Sequence, residues 1–197
     1  MKLIQSKVRY TVNGIHEPHT VILHHTAGGL KGSESYLRQK GLGYHFMIAK
    51  DGTVYAYNPV DEVVSHASRA NYGYVGVSYE SGGTLGPTNE LQLQASIELL
   101  TKLASDHDSI TKVSDHASID KIVAKRGWKS DPFWPGEKSE VNNWKIKHKY
   151  IDLISSKTGL VAVKYDPTYS NQKAAKSLLH SRYEEDNNDD DSGGCCE

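Results

Sequence analysis

Two histidines and a carboxylate stand at positions from which a folded chain could bring them to one metal ion. The apolar run Val21-Ile22-Leu23 ends in the doublet His24-His25, and His116 follows a second short apolar stretch. Asp131 lies fifteen residues after His116, directly before a proline. A buried strand is rigid, as a ligand must be to hold its nitrogen about 2.0–2.1 Å from a zinc ion. Two neutral imidazoles and one carboxylate leave the fourth tetrahedral position open, which is the ligand set of a catalytic zinc.

An open zinc site of this kind predicts hydrolysis, because the ion polarises a carbonyl and lowers the pKa of a water molecule. Lys129 stands two residues before Asp131. In an extended loop its ammonium could lie near the oxyanion that forms when water attacks an amide; the alternative is a solvated surface lysine. Covalent catalysis is disfavoured, since the chain has no Gly-x-Ser-x-Gly elbow and its 2 cysteines, Cys195 and Cys196, are adjacent in the tail.

The elements that must position these residues alternate between strands and helices. Asn89–Asp106 is the strongest helix, with Asn89 as its cap and Gln92 three residues further on. Helices are also predicted at Ser33–Lys40, ending near Gly41, and at Glu140–Ser155. Apolar patterns predict strands at Val8–Val12, Thr20–His24, Tyr44–Ala49, Thr53–Tyr57, Val75–Tyr79 and Ile110–Val113, with a weaker one at Gly159–Tyr165. We therefore expect an α/β fold in which helices flank a central mixed β-sheet.

Bulk composition excludes several classes of partner. The formal net charge is -1, which argues against nucleic acid, and no apolar stretch of about eighteen residues predicts membrane insertion. We expect a monomer. The start of the chain lacks the apolar core of a secretory signal, so we expect synthesis in the cytoplasm. We interpret residues 1–156 as the main domain, 157–183 as a C-terminal extension of unknown role, and the acidic 184–197 as a disordered tail.

Six short motifs, taken in their order along the chain, resemble the type 2 N-acetylmuramoyl-L-alanine amidases. That group includes phage lysozymes of the T7 kind, bacterial zinc amidases and animal peptidoglycan recognition proteins. The resemblance runs from about Thr20 to Trp134. The motifs are His24-His25-Thr26-Ala27, Gly43-Tyr44-His45-Phe46, Asp51-Gly52, Ser65-His66-Ala67, Val75-Gly76-Val77-Ser78 and His116 with Lys129-Ser130-Asp131-Pro132.

The resemblance implies a zinc ion (Zn2+) held by His24, His116 and Asp131. It also implies a catalytic role for Tyr44, whose phenol would act on the oxyanion together with Lys129. His66 resembles a family histidine at the edge of the substrate groove, where it would contact the substrate.

One position departs from some bacterial members, which carry a glutamate general base on the later strand where this chain has Ser78. Glu80 lies on the same strand face as Ser78, because side chains alternate along a strand. We therefore consider Glu80 a candidate that reaches the site or its rim. The general base is left unassigned.

The remaining histidines are assigned supporting or surface roles. His25 is expected to point away from His24 and to serve as a core group or as a support for a ligand, and His45 is displaced from Tyr44 in the same way. Five histidines match no motif and are expected at the surface: His16, His19, His107, His148 and His180.

The function that the resemblance implies is zinc-dependent hydrolysis of the amide between N-acetylmuramic acid and L-alanine in peptidoglycan. The setting would be cell-wall lysis by a phage endolysin that depends on a holin, or by a virion-delivered or secreted lysin; a cytoplasmic recycling enzyme is another possibility. The main alternative is a non-catalytic peptidoglycan-binding module. A regulatory role on an intracellular partner finds no support in the residues.

Overall fold

The computed structural model describes residues 1–67, 70–119 and 146–164. Within these ranges the chain forms nine strands and three longer helices, and a helical turn begins at His116. The strands are β1 Leu3–Gln5, β2 Val12–Ile15, β3 Thr20–His25, β4 Phe46–Ile48, β5 Val54–Ala56, β6 Glu62–Val64, β7 Tyr74–Tyr79, β8 Lys112–Asp115 and β9 Val161–Val163. The helices are α1 Leu30–Gln39, α2 Glu90–Asp106 and α3 His148–Thr158.

Seven strands form one mixed sheet in the order β1-β5-β4-β7-β3-β8-β9. Five neighbouring strands run parallel to one another, in the order β4, β7, β3, β8 and β9. Strand β5 is antiparallel to β4 and forms a hairpin with it. Strands β2 and β6 pair separately as an antiparallel ribbon. The predicted mixed sheet with flanking helices is therefore confirmed.

The central strands β3 and β7 are buried on both faces, which explains their continuous apolar sequences. On one face the side chains pack with α2 and α3 in the main core, to which Phe46 and Ile48 of β4 contribute. Met47, between them, points to the other face and packs with Leu37 of α1. Helices thus cover both faces, and residues alternate between the two packing layers.

Helix α2 begins as the sequence predicts. The Asn89 side chain accepts a hydrogen bond from the Gln92 N–H at 2.9 Å. The Gln92 side chain departs from the reciprocal pattern of a capping box, since its oxygen accepts from Thr88 N–H instead. Its amide nitrogen donates to the carbonyls of Ile48 and Glu80, so it ties the start of α2 to the ends of β4 and β7.

The predicted strand Val8–Val12 is wrong, because β2 begins at Val12 and continues to Ile15. The backbone of Tyr10 instead bonds to a side chain: its N–H donates to Asn58 Oδ1, and its carbonyl accepts from Asn58 Nδ2. A side chain forty-eight residues away therefore replaces the strand partner that the alternating pattern implies. Strands β1 and β6 were not predicted, as each has only three residues.

Two helix boundaries differ from the predictions. Helix α1 begins at Leu30 rather than Ser33, because the Glu80 carboxylate accepts the hydrogen bond of Leu30 N–H at 2.9 Å. Helix α3 begins at His148, and the two residues before it are not helical, although the predicted helix included them. Residues 140–145 of that predicted helix lie outside the described residues.

The fold continues beyond the expected domain boundary at residue 156. That residue lies inside α3, which ends at a left-handed Gly159, and β9 then adds the parallel edge strand beside β8. The acidic tail and most of the predicted extension lie outside the described residues. None of the described helices is long and apolar enough to cross a membrane.

Candidate metal and catalytic site

The register of two parallel strands places His24 beside His116. Strands β3 and β8 pair in register up to Leu23 and Asp115, so the next residues are His24 and His116. Their rings lie 4.9 Å apart between centroids, and both residues are buried, with exposed fractions of 1% and 5%. Histidines that are ninety-two positions apart thus meet at the carboxyl ends of adjacent strands. This is the edge at which open α/β sheets bind ligands.

Tyr44 and Ser78 complete the immediate surroundings of His24. The Tyr44 ring lies 4.8 Å from the His24 ring between centroids. Ser78 pairs with His24 across β3 and β7, so both side chains point to the α1 side of the sheet. Burial raises the pKa of Tyr44 to about 12, although the contact with the Ser78 hydroxyl opposes this shift. Tyr44 is therefore a protonated hydrogen-bond donor at neutral pH.

His66 contacts His24 directly. His66 Nδ1 lies 3.0 Å from His24 Nε2, and the two rings meet edge to face at 5.1 Å between centroids. His66 has an exposed fraction of only 6%. A contact between His66 and substrate stays a prediction, whereas its contact with His24 is a feature of the structure.

His24 and His66 are neutral at pH 7. Burial lowers the pKa of His24 well below its usual value, and the neighbouring His116 and His66 lower it further. Burial also lowers the pKa of His66 well below the usual value, with His45 and His116 adding to the effect. A neutral imidazole keeps one nitrogen lone pair, which is the form that ligates a metal ion.

The chemistry of these donors fits a zinc ion. His24 Nδ1 is buried, and no hydrogen-bond partner reaches it from the described parts of the chain. A buried polar atom of this kind calls for an explanation, and a metal ligand is one. The described residues contain no group of three His, Cys, Asp or Glu side chains that could hold a metal ion. The expected third ligand, Asp131, and the catalytic candidate Lys129 lie outside the described residues.

Glu80 has a structural partner for each carboxylate oxygen. Oε1 accepts from Leu30 N–H at 2.9 Å, and Oε2 accepts from Lys50 N–H at 3.1 Å. The side chain therefore joins the start of α1 to the turn between β4 and β5. Anionic groups are favoured at a helix N-terminus, which accounts for Glu80 without any contact to substrate.

Three other histidines are described by their burial and by their contacts within the fold. His25 is half-buried and alternates to the opposite side of β3 from His24. His45 is fully buried; its Nε2 donates to the Glu62 carbonyl and its Nδ1 accepts from Gly76 N–H. The prediction that His16 lies at the surface is wrong, since its exposed fraction is 5% and it bonds to the backbone of Val60 and Gly73.

Three of the other histidines that were expected at the surface are only partly exposed. His19, His107 and His148 are half-buried. His148 Nε2 lies 3.9 Å from the fully buried carboxylate of Asp115. His180 lies outside the described residues.

Sequence reasoning missed one position in the site. Gly76 lies in the middle of β7, and a Cβ there would lie 2.7 Å from His66 Cγ. A glycine inside a strand often marks a close approach of another group, and this was the available signal. Gly76 therefore makes room for the His66 ring above the sheet.

A mixed sheet with flanking helices, in which the rings of His116 and Tyr44 both lie against the ring of His24, has the fold of the amidase class. Residues 15–134 match the family model described as N-acetylmuramoyl-L-alanine amidase, and the chain belongs to this family. The matched range includes every residue of the expected site.

Solved structures with the same fold include two proteins from Clostridium intestinale URNW. The N-acetylmuramoyl-L-alanine amidase LysC superimposes with a TM-score of 0.60 at 20% identity, covering 81% of this chain and 99% of that one. The endolysin N-acetylmuramoyl-L-alanine amidase LysCS gives a TM-score of 0.51 at 26% identity, covering 65% of this chain and 97% of that one. Among curated proteins, no sequence matches this chain significantly.

Proposed function

We propose that this protein is a zinc-dependent N-acetylmuramoyl-L-alanine amidase that cleaves the amide between N-acetylmuramic acid and L-alanine in peptidoglycan. The observation that carries the proposal is the meeting of His24, His116 and Tyr44 at one edge of the sheet. Membership of the amidase family supports the substrate class. The proposed place of action is the cell wall.

His24 and His116 would hold the ion through their imidazoles, and Asp131 would supply the carboxylate. Zinc, when bound, polarises the scissile carbonyl and makes a water molecule more acidic. A carboxylate donates less charge to the ion than a thiolate would, so the site stays strongly electrophilic. Because strands β3 and β8 fix the two imidazoles, the site needs little rearrangement to receive the ion.

Tyr44 would stabilise the oxyanion that forms as water adds to the amide. Its phenol remains protonated, since its pKa is raised to about 12, and it lies against the ligand His24. A buried, pre-oriented donor costs no reorganisation when charge develops on the carbonyl oxygen. Lys129 is proposed as a second donor to the same oxyanion.

The proton transfer is assigned to neither Ser78 nor Glu80. Ser78 is fully buried and its hydroxyl cannot act as a base at neutral pH. Both oxygens of Glu80 accept backbone hydrogen bonds at the start of α1 and in the β4–β5 turn. This chain therefore operates without a glutamate at the Ser78 position.

The zinc content of the full chain and of His24→Ala tests the metal assignment. We expect about one zinc per chain in the wild type, a large loss in His24→Ala, and no loss in His107→Ala, which changes a histidine outside the cluster. Retained wall binding with lost release of wall peptides in His24→Ala would support a catalytic zinc. Wall binding by the wild type with neither zinc nor peptide release would instead identify a binding module.

A further inference from the structure

The hydrogen bond between His24 and His66 has a direction that its surroundings determine. His66 Nε2 lies 3.4 Å from the Tyr74 carbonyl oxygen, and a carbonyl can only accept. A neutral His66 therefore carries its proton on Nε2, and its Nδ1 is left as an acceptor. His24 Nε2 must then donate to His66 Nδ1 across 3.0 Å.

This direction determines which nitrogen of His24 is free to bind a cation. With the proton on Nε2, the lone pair of His24 lies on Nδ1. Nδ1 is the same atom that is buried and has no hydrogen-bond partner among the residues described. Two separate observations thus agree on a single tautomer: a carbonyl faces His66 Nε2, and no described residue offers a hydrogen-bond partner to His24 Nδ1.

The chain holds His66 in place from three sides. Its backbone N–H donates to Asn71 Oδ1 at 2.8 Å, which fixes the loop that carries it. Gly76 lies beneath the ring, where a Cβ would lie 2.7 Å from Cγ. The Tyr74 carbonyl fixes the rotation of the ring. These contacts fix both the position and the rotation of His66.

We propose that His66 is a positioning residue that holds His24 in the Nε2–H tautomer and aims His24 Nδ1 at the metal ion. The inference rests on the proposed function only in naming zinc as that ion. A partner of this type raises the basicity of a ligating imidazole and fixes its orientation, and its loss typically weakens metal affinity by about 10–100-fold. His66 acts through His24 and does not itself contact the reacting atoms.

The tautomer is read in the metal-free full chain by long-range proton–nitrogen correlation spectra of the histidine rings at pH 7.5. The His24 signals are assigned by their loss in His24→Ala. We expect a protonated Nε2 and an unprotonated Nδ1 on His24 in the wild type. A protonated Nδ1 on His24 would overturn the proposal. This readout needs neither bound zinc nor activity, so it decides the proposal even if the proposed function fails.

Two variants of His66 then test its effect on metal binding, with zinc alone as the probe in a chelator-competition titration. His66→Asn keeps an acceptor near the position of Nδ1, and His66→Leu removes it. We expect zinc affinity to fall about 10–100-fold in His66→Leu and to stay within about 3-fold of the wild type in His66→Asn. Wild-type affinity in folded His66→Leu would overturn the proposal. If His66→Leu does not fold, the proposal is tested by the His24 tautomer in the wild type and by the zinc affinity of His66→Asn.

A residue that only contacted the substrate would give a different pattern. It would change the KM for wall fragments and leave both the His24 tautomer and the zinc affinity unchanged. That pattern would overturn the positioning role and support the prediction of a substrate contact.

Discussion

Tyr44 and His24 show how burial assigns chemistry to single residues. Burial lowers the pKa of His24 and raises the pKa of Tyr44, because it disfavours the charged form of each side chain. His24 is therefore available as a ligand and Tyr44 as a donor. The motifs of the sequence predict both residues, but the partnership of His24 with His66 depends on how the loop before β7 folds back.

Replacement of Tyr44 by phenylalanine removes the proposed oxyanion donor and little else. We expect Tyr44→Phe to fold, to bind zinc as the wild type does, and to lose about two to three orders of magnitude in kcat on wall fragments. Tyr72→Phe is the matched control, since Tyr72 is exposed. Near-normal turnover in Tyr44→Phe would show that the phenol of Tyr44 is not an oxyanion donor.

Replacement of Glu80 separates a structural role from a catalytic one. We expect Glu80→Ala to lower the free energy of unfolding by about 2 kcal/mol, because two backbone N–H groups lose a charged acceptor. Activity per folded molecule should be unchanged. Asp108→Ala, at an exposed position, is the control for charge alone. A loss of activity in folded Glu80→Ala at a temperature far below its Tm would instead support a role at the site.

At the scale of elements, sequence patterns predict what local contacts determine. Strand β3 and helix α2 lie where the apolar pattern and the Asn89 cap place them. Helix α1 begins three residues early, because its first N–H bonds to Glu80, fifty residues away in sequence. The start of β2 also depends on a distant group, since the Asn58 side chain accepts the hydrogen bond of Tyr10 N–H. Boundaries set by such distant partners leave no local signal.

The glycine in the middle of β7 is required by the ring above it. We expect Gly76→Ala to destabilise the fold by about 1–3 kcal/mol and to weaken zinc binding, because the new methyl group meets the His66 ring. Gly32→Ala is the matched control: it lies within α1, a Cβ there would meet no atom within 4 Å, and we expect it to stabilise by about 0.5–1 kcal/mol. Thermal unfolding and zinc titration of both variants measure these effects. Unchanged stability and zinc affinity in Gly76→Ala would contradict the close approach.

At the scale of the whole molecule, the mixed sheet was predictable because strands and helices alternate along the chain. The outer strands of this sheet were less predictable. β1 is a short, largely exposed strand, and β9 carries the fold past the predicted boundary at residue 156. The burial of His16 was also missed, since a lone histidine in a polar stretch gives no sign that it will bond to the backbone of another loop.

The buried histidines predict how stability depends on pH. Burial lowers the pKa values of His16, His19, His24, His45 and His66, those of His19 and His45 to about 4. Below about pH 6.5 the unfolded chain binds protons that the folded chain does not, so the free energy of unfolding falls as the pH falls towards 4. Each such histidine contributes up to about 1.4 kcal/mol per pH unit in this window.

Denaturant titrations of the metal-free protein between pH 6.5 and 5 measure this slope above the range in which most carboxylates titrate. His19→Asn should have a shallower slope than the wild type, because one of these groups is removed. A free energy of unfolding that does not change over this window would contradict the lowered pKa values of these five histidines.

The chemical identity of the released products tests the central claim most directly. Purified peptidoglycan is incubated with the full chain after chelation and again after zinc is restored, and the fragments are identified by mass spectrometry. We expect stem peptides with a free L-alanine amino terminus, which appear only when zinc is present. Cleavage within the glycan strand or between stem-peptide residues, or release that the chelator leaves unchanged, would contradict it.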